Sequence, residues 1–305
     1  RFLYFSICMM LLQAKPFAQE RVIELSHTYE KRNEEFIITA LNSSSTYYTV
    51  VVKFDKLYGL SANDKLPSMK VVPPGSHRLL KLEKNGSGQP DFSYTFVYWK
   101  GVANPRIEDV QYVLPFSPSL EVGVKEVGSL SDYLKQDSND DHYAIGFNMI
   151  DGDTILAARK GVVEVVEEEN QTDNLNYTFT RERNYIRIRH DDGTIANYQN
   201  FKNNSSFVEV GTEVLPGTPL ALAIQTREMG DALMIFSVFY LVIEPDDFKD
   251  SKDWDSIKYY KPKFALKEGL DYLKVGSNYR GFINTELITQ EMSKRERKRY
   301  LSGKN

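Results

Sequence analysis

Imidazoles are scarce in this chain: its four histidines are His27, His77, His142 and His190. A hydrolytic zinc centre needs three protein ligands and an open position for water or substrate. Only His142 and His190, approaching each other with Asp191 or Asp192 beside them, offer the start of such a set. One or two scattered ligands hold zinc weakly, and His190, Asp192 and Gly193 read better as a turn-forming set. His27 and His77 stand apart and read as surface or turn histidines. Asp132, Asp137, Asp140 and Asp141 lie close in sequence but lack the DxDxDG spacing of a calcium loop, so this run reads as a solvated loop. The chain contains no P-loop, GxSxG elbow, CxxC pair or HExxH helix.

The elements that would carry these residues are strands. From Arg21 to about Phe116 the segments RVIEL, EFIITALN, YYTVVVKF, HRLLKLEK, SYTFVYWK and VQYVLPF alternate with turn-rich linkers. Their spacing predicts an antiparallel β-sandwich over residues 19–118. Within YTVVVKF, Val50, Val52 and Phe54 are expected inward, with Thr49, Val51 and Lys53 facing the other way. This sandwich reads either as a wall- or protein-binding module or as a spacer. From His142 to Ile243, short apolar runs alternate with Gly-Asp, Asp-Gly and Pro-Gly turns, which predicts a second all-β unit over residues 119–245. LEVGV reads as a strand. In YIRIRH the isoleucines are the core choice, and Asp191-Asp192-Gly193-Thr194 is a tight turn into IANYQNF. LMIFSVFYLVIE is a twelve-residue apolar run that predicts a central strand buried on both faces. Residues 246–305 form a short polar C-terminal extension: loop, one or two edge strands around Pro262, then a short helix and a loosely ordered basic tail. That basic run is suited to anionic lipid or a wall polymer, or is simply solvated.

At the N-terminus, Arg1 precedes the apolar run Phe2–Leu12, and Ala14-Lys-Pro-Phe-Ala18 ends in small residues. The run is too short to span a bilayer as a stable helix, so residues 1–18 are expected to be a signal peptide cleaved after Ala18. Cys8, the single cysteine, would leave with it, and the mature chain would hold no disulfide and no transmembrane segment. The net charge of -4 and pI near 5.7 argue against a whole-protein footprint for nucleic acid.

Three blocks then combine. HYAIGFNMIDGDTILAARKGVV, NYIRIRHDDGTIANYQNF and VEVGTEVLPGTPLALA occur in this order over about 80 residues. The first resembles the opening of the lysostaphin/LytM-type (M23) zinc endopeptidase domain, His-Tyr-Gly/Ala-Ile/Val-Asp-Phe through Gly-Val-Val. The second is similar to that family's His-x-Asp-Gly-Thr turn and Tyr-x-His-Leu strand, and the third to its glycine-punctuated hairpin. The upstream strands resemble the N-terminal region of secreted M23 proteins from the Bacteroidetes. The resemblance implies hydrolysis of peptidoglycan peptide cross-links by zinc held on a His and an Asp four residues apart and on the second His of a terminal His-x-His.

Carried over position by position, that site fails. His142 matches the first ligand and Gly146 the Asp. Asn200, in YQNF, stands where the family has the His of Tyr-x-His-Leu. Leu233 and Ile235 fall on His-x-His, in the register where Thr226 keeps the family's threonine; a slip of one residue would give Ala232 and Met234, with the same outcome. In relatives whose first ligand lies in an upstream Ser-His pair, Asp132 after Ser131 takes that place and His142 becomes ordinary. The expectation is therefore no catalytic residue, no metal and no cofactor. The chain reads as a secreted or periplasmic M23-like protein that binds peptidoglycan or regulates a cell-wall hydrolase. The alternatives are a structural or surface interaction scaffold, and a zinc endopeptidase with a rearranged site.

Overall fold

The computed structural model describes residues 22–86, 88–127, 142–170, 183–224, 232–244 and 257–303. The expected signal peptide, the aspartate-rich loop, Ser131, Thr226 and the polar stretch 246–256 lie outside the described residues.

The N-terminal strands are β1 (Ile23–Glu30), β2 (Glu35–Asn42), β3 (Tyr48–Tyr58), β4 (Leu60–Ala62), β5 (Ser68–Val72), β6 (Gly75–Lys84) and β7 (Asp91–Lys100). They pair antiparallel in two sheets, β1-β2-β6-β4 and β5-β3-β7. The alternation read in YTVVVKF explains how the sheets meet. Val50 and Val52 are fully buried with Ile38, Ala40, Leu80 and Leu82 of the facing sheet, and Phe54 packs against them. Because successive side chains of a strand point to opposite faces, Val51 leaves this core and enters a second cluster with Trp99, Ala103 and Ile243. That cluster joins the sandwich to the next body of strands, helped by Asn104, whose Nδ2 donates to Ile243 O at 2.7 Å and whose Oδ1 accepts from Ile243 N at 3.1 Å.

The second body holds β8 (Glu121–Glu126), β9 (Ile145–Met149), β10 (Thr154–Leu156), β11 (Gly161–Glu167), β12 (Tyr185–Arg189), β13 (Ile195–Gln199), β14 (Glu213–Val214), β15 (Pro219–Leu222) and β16 (Ala232–Leu241). The C-terminal part adds β17 (Ile257–Tyr260), β18 (Phe264–Leu266), β19 (Gly269–Asp271) and β20 (Asn278–Arg280), then helices α1 (Thr285–Thr289) and α2 (Lys294–Leu301). A nine-stranded sheet runs β14-β11-β12-β13-β16-β9-β8-β20, with β17 also pairing β16. One face of it, with Ile186, Ile188, Tyr198, Phe147, Met234 and Phe236, packs against Ile155 of β10, Leu220 of β15 and the Tyr112–Phe116 segment. The architecture is all-β and antiparallel, and the apolar run around Leu233 is the central strand β16, as its composition predicts.

The extension carries the strands and short helix expected of it: β17 and β18 flank Pro262, β20 pairs with β8, Leu287 of α1 is buried with Val113 and Ala265, and α2 is closed by a capping box between Ser293 and Glu296.

Candidate functional site

Gly146, Asn200, Leu233 and Ile235, the positions singled out by the sequence resemblance, sit on the other face of the large sheet. Alternation along β16 sends Met234, Phe236 and Val238 to the core, so Leu233, Ile235, Ser237 and Phe239 point the opposite way. Ladder register then sets their neighbours: Leu233 lies opposite Asn148, Ile235 opposite Gly146 and Gln199, and Ser237 opposite Asn197, which lies opposite Arg187. The sheet thus brings Gly146, Asn200, Leu233 and Ile235 together. His142, just before β9, is half-buried with its ring 4.7 Å from that of Tyr259, which lies 6.3 Å from Phe239.

The four clustered positions form a packed floor. Leu233, Ile235 and Asn200 are all buried. A Cβ added to Gly146 would stand 2.6 Å from Leu233 Cδ1 and 3.2 Å from Val127 Cγ2, so the leucine occupies the space an aspartate there would need. Asn200 adopts φ 65°, a left-handed conformation that asparagine tolerates better than most residues. Its backbone N donates to Asn184 O and its Nδ2 to Leu233 O, both at 3.1 Å, which fastens the end of β13 to β16. Two aliphatic side chains, a glycine and a single amide, whose Oδ1 is buried without a partner among the described residues, do not make the three-ligand set that zinc needs. Among the described residues no group of three or more His, Cys, Asp or Glu stands close enough to hold a metal ion. Apolar side chains here also avoid burying a polar cluster that would be costly without its metal.

His190 does not join His142. It follows β12 on the core side, fully buried, with Nδ1 2.7 Å from Lys160 O and its ring edge-on to Tyr112 at 5.7 Å. Burial, reinforced by the Arg159 charge, pushes its imidazole down to about 3, so it is a neutral core residue at ordinary pH. The turn expected at Asp191–Thr194 is present: Gly193, at φ 91°, donates to His190 O, and Asp192 Oδ1 accepts from Thr194 N at 3.0 Å and Thr194 Oγ1 at 2.7 Å.

The strand-and-turn reading missed the charged group beside that turn. Arg159 is fully buried and bridges two carboxylates, Asp192 Oδ2 at 2.9 Å through Nη1 and Glu291 Oε1 at 2.8 Å through Nη2. Burial alone would raise the Asp192 carboxyl, but Arg159 and Thr194 hold it below the usual range. For Glu291 burial wins, and its carboxyl is raised despite Arg159. The only sequence signal for this group is an arginine inside the apolar stretch TILAARKGVV.

The same face carries polar groups further along β12 and β13. Arg187 lays its guanidinium 4.9 Å from the Tyr185 ring and 5.6 Å from that of Phe239. Its Nε and the Oδ1 of the neighbouring, buried Asn197 have no hydrogen-bond partner among the described residues. At the edge of this row Arg189 pairs through Nε with Glu164 at 2.8 Å and lies 4.2 Å from the ring of Tyr47, which the sandwich supplies. Thr46 of the sandwich also donates to Glu164.

The match to known proteins by sequence falls on the second body of strands. The model of Peptidase family M23 matches residues 140–240, about a third of the chain. No curated protein matches the sequence. Among solved structures, a putative peptidase M23 from Pseudomonas aeruginosa is 11% identical, covering 62% of this chain and 82% of its own, with a TM-score of 0.29. Helicobacter pylori Csd3 is 9% identical over 93% of this chain and 77% of its own, with a TM-score of 0.30. A zinc-containing peptidase from Vibrio cholerae is 12% identical over 70% of this chain and 81% of its own, with a TM-score of 0.27. Residues 140–240 are distantly homologous to peptidase family M23.

Proposed function

We propose that this protein is a non-catalytic M23-like protein of the cell envelope, secreted or periplasmic, that binds peptidoglycan or regulates a cell-wall hydrolase. The observation that carries this reading is the exchange at the matched ligand positions: Leu233 and Ile235 are buried on the sheet face where the family places its His-x-His, and Leu233 fills the space beside Gly146. Such a face has exchanged metal chemistry for packing. The partly exposed Arg187 guanidinium, set against the Tyr185 and Phe239 rings on the same face, supports a peptide or partner surface over a bare scaffold. In this reading residues 1–18 are a cleaved signal, 119–245 the M23-like unit and 246–305 its extension, while the sandwich expected over 19–118 gives up its last segment, Tyr112–Phe116, to the core of the M23-like unit. No helix among the described residues is long and apolar enough to cross a membrane.

The test combines three measurements on the purified mature protein. Elemental analysis is expected to find less than about a tenth of an equivalent of zinc, since too few protein ligands remain for a stable site. Digestion assays should leave peptidoglycan cross-links intact, and sedimentation with purified sacculi should carry the protein into the pellet. Stoichiometric zinc with release of cleaved stems would overturn the non-catalytic reading. Failure to sediment with sacculi, together with failure to alter any wall hydrolase, would favour the scaffold alternative.

A further inference from the structure

We propose that helix α2 is a docking surface for an anionic phospholipid membrane. Its sequence, KRERKRYL, contains five basic residues and one acid within a chain whose net charge is -4. No residue of the helix is buried, so packing does not dictate this composition. The capping box closes its first turn, and Glu296 faces the body of the protein, where Lys160 Nζ lies 3.9 Å from Glu296 Oε1. With 3.6 residues per turn, the side opposite Glu296 presents Lys294, Arg297, Lys298 and Leu301, the spacing of one continuous helical stripe. These four residues, with Ser302, line one shallow surface hollow.

Three cations therefore surround an outward leucine that is 59% exposed, and Tyr300 is 38% exposed beside it. A soluble polyanion would be served by the cations alone. An exposed leucine amid them fits a bilayer interface, where an apolar side chain enters the acyl boundary while Lys and Arg meet anionic headgroups. The attraction of each basic residue to such a surface falls off within a Debye length, so attachment through one such helix is reversible and salt-sensitive. This inference does not depend on what the M23-like face binds: it places the protein at a membrane surface whether or not it holds peptidoglycan.

Flotation of the purified full chain with lipid vesicles tests it. Vesicles containing about 30% phosphatidylglycerol should carry the protein at low salt and release it in high salt, whereas pure phosphatidylcholine vesicles should not. The triple variant K294E/R297E/K298E should weaken partitioning at least about tenfold, since it removes and then reverses three contacts. Its melting temperature should match the wild type, because the helix buries nothing. Leu301→Asp should weaken vesicle binding while leaving retention on heparin unchanged. Equal binding to both vesicle types, absence of binding, or indifference to the triple variant would overturn the proposal. Heparin retention without vesicle flotation would assign the helix to a soluble polyanion and equally overturn it.

Discussion

At Gly146 the nearest obstacle to a side chain is the δ-methyl of Leu233, 2.6 Å from where a Cβ would stand. The glycine and the leucine are thus physically coupled: one can be large only if the other is small. Gly146→Asp would drive a Cβ and a carboxylate into an occupied, buried space, and overpacking of that kind typically costs about 1–3 kcal/mol. Urea denaturation of Gly146→Asp should show that loss, and Gly146→Asp/Leu233→Ala should recover part of it. Neither variant should bind zinc, because Ile235 and Leu233 or its alanine still supply no ligand. An unchanged unfolding midpoint for the single variant would refute the packing account of this position. This coupling is invisible in the sequence, where Gly146 and Leu233 are separate departures from a motif. It emerges only once ladder register sets Asn148 against Leu233 and Gly146 against Ile235.

The hairpin of β12 and β13 shows what one element can impose. Its alternation puts Ile186 and Ile188 in the core and Arg187 and Arg189 on the opposite face, and the residue that ends it, His190, therefore turns inward. The charged groups around that imidazole are Arg159 and Asp192 on the core side and Arg189 next to it in sequence, with Lys160 O accepting its Nδ1–H. Burial and the Arg159 charge keep it neutral in the folded chain down to about 3, against 6.5 when unfolded. Between those values the unfolded state binds a proton that the folded state refuses, so stability rises with pH there and falls as pH is lowered from 6.5 towards 3. Asp192, whose carboxyl is held low, adds a further loss only at more acidic pH, and the raised Glu291 works in the opposite sense. Thermal melts across this range should show a progressive fall, and His190→Phe should flatten the slope above pH 4 even if it lowers stability at neutral pH. A His190→Phe profile as steep as the wild type's between pH 6.5 and 4 would exclude a buried neutral His190. The hairpin was legible from strict alternation and an Asp-Gly turn, as β16 was from a long apolar run interrupted only by Ser237. The arginine that controls the histidine was not, because its partner Glu291 lies 132 positions away in a stretch that reads as polar surface.

Across the whole molecule, contacts converge on that arginine. Glu291 holds Arg159 from the C-terminal end, Arg159 holds Asp192, and Asp192 Oδ2 accepts from Glu108 N at 3.2 Å. The same turn presses Gly193 against Val102, next to Ala103, which is buried with Trp99 and Val51 of the sandwich. A charge in the last stretch of chain is thereby linked to the sandwich through a continuous series of packed groups. Glu291→Ala would leave Arg159 buried with half of its compensation gone, and breaking a buried pair by removing one partner costs about 3–5 kcal/mol. Trp99 sits at the far end of this path, and replacing Trp254, the other of the two tryptophans, by Phe makes its fluorescence specific. In that background Glu291→Ala should lower the urea midpoint reported by Trp99 and that reported by far-ultraviolet dichroism together. Glu291→Gln, which keeps an oxygen for the guanidinium, should lose less. If the dichroism midpoint fell while the Trp99 midpoint stayed in place, the sandwich would unfold independently of the large sheet. The buried junction of Val51, Trp99, Ala103 and Ile243 would then contribute too little to couple them.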